Sequence, residues 1–220
     1  MSDKSEKRAA RVKPLELKEI LFSRNDIDTS TLYSISNLSE TGLGVRRKPA
    51  DYWPIKDYID GELILEDSKI PVTIRVMRIT ASEAGCAIIK GSSQLKRILH
   101  LKYHTEMNAH GLKKVDETLL RQQPDGKPHW HFDGSGGELY FIEKDNEIVR
   151  YRLTCDGISA EGSKGHPLRI TRLVDDEIVS VPLDERISKV ILKFLNNIDN
   201  LDPGYLHRFF EIFEPSNQKE

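Results

Sequence analysis

Gly61-Glu62-Leu63-Ile64-Leu65-Glu66, followed by Asp67-Ser68-Lys69 and then Ile70-Pro71-Val72-Thr73-Ile74-Arg75-Val76-Met77-Arg78-Ile79, reads as two strands joined by a polar turn. Working outward, Val12 to Phe22 alternates as a half-buried strand, and Pro14 places its start at a sheet edge. Thr31 to Ser36 and Gly42 to Arg46 give two more strands, and Glu83 to Lys90 a sixth, while Asp51 to Tyr58 reads as an irregular connection. Six short strands with turn signals between them predict a small antiparallel barrel rather than a βαβ sheet. A helix is expected next, capped by Ser92 or Ser93, with Leu95, Ile98 and Leu99 on its apolar face and an end near Met107.

The second half has its own strand rhythm at His129 to Phe132, Glu138 to Glu143, Ile148 to Cys155, Leu168 to Val174 and Ile178 to Val181. Lys144 to Glu147 and Asp175 to Glu177 have the composition of hairpin turns, as does Asp133-Gly134-Ser135-Gly136-Gly137. Two helices finish the chain. Asp184 precedes a segment with Ile187, Val190, Ile191, Phe194, Leu195 and Ile198 at helical spacing. Asp202-Pro203 is an N-cap followed by a first-turn proline for a last helix bearing Tyr205, Leu206, Phe209, Phe210 and Phe213, read as core. The chain is therefore expected to be mainly β with helices. Residues 1–107 would form a barrel domain with a flexible basic arm over 1–11, and 108–220 a second small α+β domain with two C-terminal helices.

A formal net charge of −2 argues against broad electrostatic binding to a nucleic acid polymer or an anionic membrane. The charge is unevenly placed. Lys4, Lys7, Arg8, Arg11, Lys13 and Lys18 face only Glu6 and Glu16 over the same stretch. No apolar run is long enough for a transmembrane helix, and the start lacks the apolar segment of a secretory signal. Cys86 and Cys155 lie far apart among apolar residues, as buried reduced thiols would. A cytoplasmic location is expected.

Two segments carry chemistry. Lys7, Arg8 and Arg11 bring cations to an arm ahead of the barrel, and guanidinium forks match phosphate oxygens and the O6/N7 edge of guanine. Asn37, Ser39 and Gly42 lie on what reads as a polar turn between strands, where glycine lets backbone approach closely. Such a pair suits a polyanionic, base-bearing ligand. The second segment, Asn37-x-Ser39-x-x-Gly42, and its place after a basic arm and within a barrel-then-helix chain resemble the PilZ family, over about residues 4 to 107. That family is marked by RxxxR in an N-terminal arm and a later [D/N]xSxxG. At the first motif's spacing this chain has Lys7 and Arg11, so lysine stands where the family has arginine; Arg8 is one position on.

The resemblance implies a receptor for the bacterial second messenger cyclic di-GMP, without catalytic activity or a cofactor. Lys7, Arg8, Arg11, Asn37, Ser39 and Gly42 would form the ligand site, and motility, exopolysaccharide or biofilm output would be regulated through an unidentified protein effector; a homodimer is compatible with this. Some family members bind no nucleotide, which leaves a second reading, an adaptor acting by protein–protein contact. A third is a metal-dependent hydrolase using His129 and His131, which with Asp133 would share one strand face; His100 and His104 are one helical turn apart. No HExxH, cysteine cluster, phosphate-loop or nucleophile-elbow context accompanies them.

Overall fold

The computed structural model describes residues 10–16, 18–27, 31–134 and 136–214. The chain divides into two compact units between Met107 and Asn108. The first contains β1 (Arg11–Val12), β2 (Ile20–Arg24), β3 (Leu32–Ser39), β4 (Gly42–Arg46), β5 (Tyr58–Leu65), β6 (Ser68–Ile79), β7 (Glu83–Lys90) and helix α1 (Ser92–Lys102). Strands β3, β2, β5, β6, β7 and β4 neighbour one another in that order, and β4 pairs back onto β3, closing a six-stranded antiparallel barrel. Strand β1 is an additional strand on the edge of β3 opposite β4, since Leu38 pairs with both Val12 and Leu43. Closure removes the exposed edges that an open sheet would leave.

The barrel agrees with the sequence expectation, and the differences have local causes. The strand expected over Val12 to Phe22 is broken. Strand β1 stops ahead of Pro14, which has no N–H for a ladder, and pairing resumes only at Ile20. The stretch Asn37 to Ser39 is strand, not turn; only Glu40 and Thr41 separate β3 from β4. The expected helix cap is Gly91 rather than Ser92 or Ser93. Its φ of 90° and the carbonyl of Pro71 beside it leave no room for a side chain. Helix α1 ends at Lys102, and α2 (His104–Gly111) follows after Tyr103, which is buried in the barrel's core. The break separates His100 from His104, so they do not share one helix face.

Alternating residues fill the barrel: Phe22, Ile35, Leu63, Leu65, Ile70, Ile74 and Val76 are all essentially inaccessible. Trp53, from the irregular connection after β4, is part of this core. Tyr33 meets it edge-on at 5.2 Å and the guanidinium of Arg24 lies 4.9 Å over its ring. Arg24 is buried and donates to the Tyr52 carbonyl at 2.7 Å and to both carboxylate oxygens of Asp26, at 2.8 and 2.5 Å. Its hydrogen bond holds the Asp26 carboxyl below the usual carboxylate range.

The second unit contains β8 (Lys113–Lys114), a 3₁₀ turn at Glu117–Leu119, β9 (Lys127–Phe132), β10 (Glu138–Lys144), β11 (Glu147–Cys155), β12 (Ile158–Ser163), β13 (Arg169–Val174), β14 (Glu177–Val181), α3 (Glu185–Asn197) and α4 (Pro203–Phe213). The strands form one antiparallel meander in chain order. One face is covered by the helices, with Phe209 edge-on to Phe141 and Tyr151 at 5.5 and 5.8 Å. Asp184 and Asp202 cap α3 and α4 as expected, accepting from Ile187 N–H and Gly204 N–H, both at 2.7 Å. Strand β12 was not expected from sequence. Its Ala160 and Gly162 are poor strand formers, but Gly162 lies opposite Tyr151, whose ring occupies the space a Cβ would need. Cys86 and Cys155 are buried free thiols, and burial pushes Cys86 up to about 12.

His129 and His131 face this helical core. They are 3% and 2% exposed, and His129 stacks on Phe141 at 4.6 Å. Burial lowers both imidazoles below their ordinary value, His131 to about 4, with Lys114 and His129 adding to the effect there. Asp133 instead closes the β9–β10 turn, accepting from Gly137 N–H at 3.0 Å. Among the described residues, no three His, Cys, Asp or Glu side chains are grouped to hold a metal ion.

Two outcomes follow from this packing. Trp53→Ala should lower unfolding stability by about 3–5 kcal/mol in urea titration; a loss below about 1 kcal/mol would show that Trp53 does not anchor the barrel. His131 binds its proton more weakly folded than unfolded, so its contribution is complete above about pH 6.5 and lost as pH falls toward about 4. Between pH 7 and 5 the loss should be about 2 kcal/mol and smaller in His131→Leu. NMR should place the imidazole midpoint near 4, and a midpoint near 6.5 would contradict the buried neutral assignment.

Candidate functional site

In a strand, every second side chain points the same way. On β3, Tyr33 and Ile35 point into the barrel, which by simple alternation would send Asn37 inward as well. Ile35 pairs with Val45 and Asn37 with Gly44, so Ser36 is an extra residue on β3. This β-bulge shifts the phase. Leu38 becomes the core residue, fully buried between Val12 and Leu43, and Asn37 and Ser39 turn outward. The same device recurs on β6. Val76 pairs with Cys86 and Arg78 with Gly85, leaving Met77 as the extra residue and sending Arg78 outward after the inward Ile74 and Val76.

These two outward residues end one row across four strands: Asn37, Gly44, Gly85 and Arg78. A side chain at Gly44 would collide with Ser36 and Asn37, and one at Gly85 with Arg78. The neighbouring outward row runs from Gly42 through Ala87 and Arg75 to Tyr58. The Arg75 guanidinium lies 5.6 Å over the Tyr58 ring. At Gly42 a Cβ would stand 2.9 Å from the Cys86 carbonyl, so the close β4–β7 approach requires glycine. The barrel exterior thus has a floor of small residues, with Arg75 and Arg78 on one side and Asn37 and Ser39 on the other.

Arg11 adds a cation at the second side, since β1 sets it opposite Ser39. The Ser39 hydroxyl is buried and accepts from Gly42 N–H at 3.1 Å, closing the Glu40–Thr41 turn. Glu40 fixes that turn to α1 through Lys96 Nζ and His100 Nε2, each at 3.1 Å. Burial opposes its ionisation, but the hydrogen bonds from Lys96 and His100 prevail and hold its carboxyl below the ordinary value. On the floor, Asn37 Nδ2 donates to Ser36 Oγ at 3.1 Å and Ser36 Oγ donates to Glu83 Oε2 at 2.5 Å. Arg78 Nη2 donates to Glu83 Oε1 at 3.2 Å. A carboxylate is therefore seated among hydroxyl and guanidinium donors, the groups that also suit a phosphate oxygen.

Of the residues singled out from sequence, Arg11, Asn37, Ser39 and Gly42 are brought together. Arg11 belongs to β1 rather than to a free arm. Lys7 and Arg8 lie outside the described residues. Sequence reading missed Arg75, Arg78, Gly44, Gly85 and Ala87. The available signal was the alternation of small residues in Gly42-x-Gly44 and Gly85-x-Ala87, which leaves one strand face bare. The histidine pair on β9 belongs to the second unit's core and not to this surface.

No family model matches the chain, and no curated protein matches it. Among solved structures, an uncharacterized Legionella protein, Lpg0364, is similar at 20% identity, covering 43% of this chain and 91% of its own, with a TM-score of 0.33. The PlzA protein of Borreliella burgdorferi, solved in complex with c-di-GMP, is similar at 12% identity over 85% of this chain and 94% of its own, with a TM-score of 0.28. No helix among the described residues is long and apolar enough to cross a membrane.

Proposed function

We propose that this chain is a PilZ-like receptor for cyclic di-GMP that acts by binding, not catalysis. The observation that carries this reading is the pair of bulges that turns Asn37 and Arg78 outward at the two ends of a glycine-floored row, with Arg11 entering opposite Ser39. Arg78 and Arg75 supply guanidiniums for phosphate oxygens or for the guanine edge. The small-residue floor lets a flat base approach the backbone closely. Lys7 and Arg8 then close over the ligand from the segment ahead of β1, beside Arg11, and that closure is the signal. In this reading a protein effector recognises the closed arm, and the output is motility, exopolysaccharide or biofilm control in a bacterial cytoplasm.

A second reading has its own observation. Glu83 already engages Ser36 and Arg78, and Lys7 lacks the planar fork of the arginine it replaces. That combination suits an adaptor that binds no nucleotide and works by protein contact.

Calorimetric titration of the full chain with cyclic di-GMP separates the two. The receptor reading expects saturable heat with a dissociation constant no weaker than tens of micromolar (about −6 to −7 kcal/mol). Arg11→Ala and Arg78→Ala should each weaken it roughly 10- to 100-fold, the effect of losing a charge-assisted hydrogen bond. Arg172→Ala, on the second unit's sheet, should leave it unchanged. Absence of heat from the wild type at these concentrations sinks the receptor reading and leaves the adaptor.

A further inference from the structure

Independently of that ligand reading, we propose that the second unit pairs with a second copy of this chain through strand β14, forming a two-fold antiparallel strand pair centred on Val179. Sheet edges are ready templates for further pairing, and proteins blunt them with short strands, lysines or prolines. The opposite edge of this sheet is treated in that way, because β8 is two residues long and both are lysine. In the first unit the barrel is closed, and its extra strand is again only two residues long. Strand β14 is different. It ends the sheet with the sequence Glu177-Ile178-Val179-Ser180-Val181, with no lysine or proline. Its apolar side chains are open to solvent, Ile178 by 76% and Val179 by 37%, beside Leu173 at 53% and Val174 at 43%.

The register of such a pair follows from the hairpin. Asp175 and Asp176 have φ of 49° and 65° and form a two-residue turn that joins Val174 to Glu177. In an antiparallel hairpin of this kind the closing pair exchanges both backbone hydrogen bonds, and such pairs alternate with open ones. Glu177, Val179 and Val181 therefore direct their N–H and C=O groups to β13, while Ile178 and Ser180 direct theirs to the free side. With the two-fold axis at Val179, Ile178 of each copy faces Ser180 of the other, so all four outward-directed residues exchange hydrogen bonds. Val179 then meets its own copy, and Glu177 faces Val181. No charged side chain stands directly opposite a like charge, whereas centring the pair on Glu177 would oppose two carboxylates. Ile178 and its cross-strand neighbour Leu173 share one face of the sheet, and pairing carries that face across the two-fold axis to Ser180 of the other copy. A strand pair of five residues a side is small for a specific interface, so a weak dimer in the micromolar range is expected.

Sedimentation equilibrium of the full chain tests this. Wild type should shift from monomer to dimer between about 5 and 200 µM, as a micromolar dissociation constant requires. Ser180→Pro removes an outward N–H without breaking the β13–β14 ladder, and Val179→Lys sets two ammonium groups against each other on the axis. Either folded variant should remain monomeric across the range while keeping the wild-type urea midpoint at concentrations below the dimer's dissociation constant, where dimerisation adds no stability. A wild type that stays monomeric at about 200 µM, or a dimer that persists in both variants, overturns the proposal.

Discussion

Strand side chains alternate with a period of two, and the barrel depends on where that period is interrupted. Were Ser36 paired as an ordinary strand residue instead of bulging, Asn37 would follow Tyr33 and Ile35 into the core and Leu38 would lie in water. Burying an amide without a partner costs roughly 1–3 kcal/mol, and leaving a leucine outside forfeits about 1.5–3 more. The bulge avoids both penalties. It completes a core row of Val12, Leu38, Leu43, Cys86 and Val76, each at most 6% exposed. The interruption at Met77 does the same for Arg78 on the other side of the barrel. The two phase shifts thus give one barrel wall an apolar inner row and, beside it, a polar outer row ending in Asn37 and Arg78.

The outer face inherits its shape from the same register. Gly42, Gly44 and Gly85 keep it low, because a side chain there would strike the Cys86 carbonyl or the Ser36, Asn37 and Arg78 side chains, and Ala87 beside them adds only a methyl group. Glu40 adds a second constraint by tying the β3–β4 turn to α1 through Lys96 and His100. These are exposed contacts and add little stability, but they fix the direction in which Ser39 and Gly42 are presented. Packing of the core and presentation of the site are therefore set by the same few residues.

The parts legible in sequence were those carried by periodicity and caps. Strands β4 to β7, the barrel class, and the caps at Asp184 and Asp202 follow from alternation and from Asp or Asp-Pro at helix starts. What could not be read there depends on partners distant in sequence. The phase shift at Ser36 is visible only once Val45 and Gly44 are known to lie opposite, and it makes strand out of the polar Asn37-Leu38-Ser39. Arg75 and Arg78 look like ordinary surface charges on a long strand until Ala87 and Gly85 are placed beside them. The reverse holds for His129 and His131, where a strand spacing suited to ligands proves to be the core-facing side of β9, stacked on Phe141.

The most direct test of the account is a two-dimensional amide NMR titration of the isotope-labelled full chain with cyclic di-GMP. Binding on the bulge-defined face predicts that the largest shift changes fall on Gly42, Gly44, Gly85 and Ala87 together with Arg11 and Arg78, and that β9 to β14 stay still. Changes centred on the second unit, or none on these glycines at saturating ligand, would contradict it.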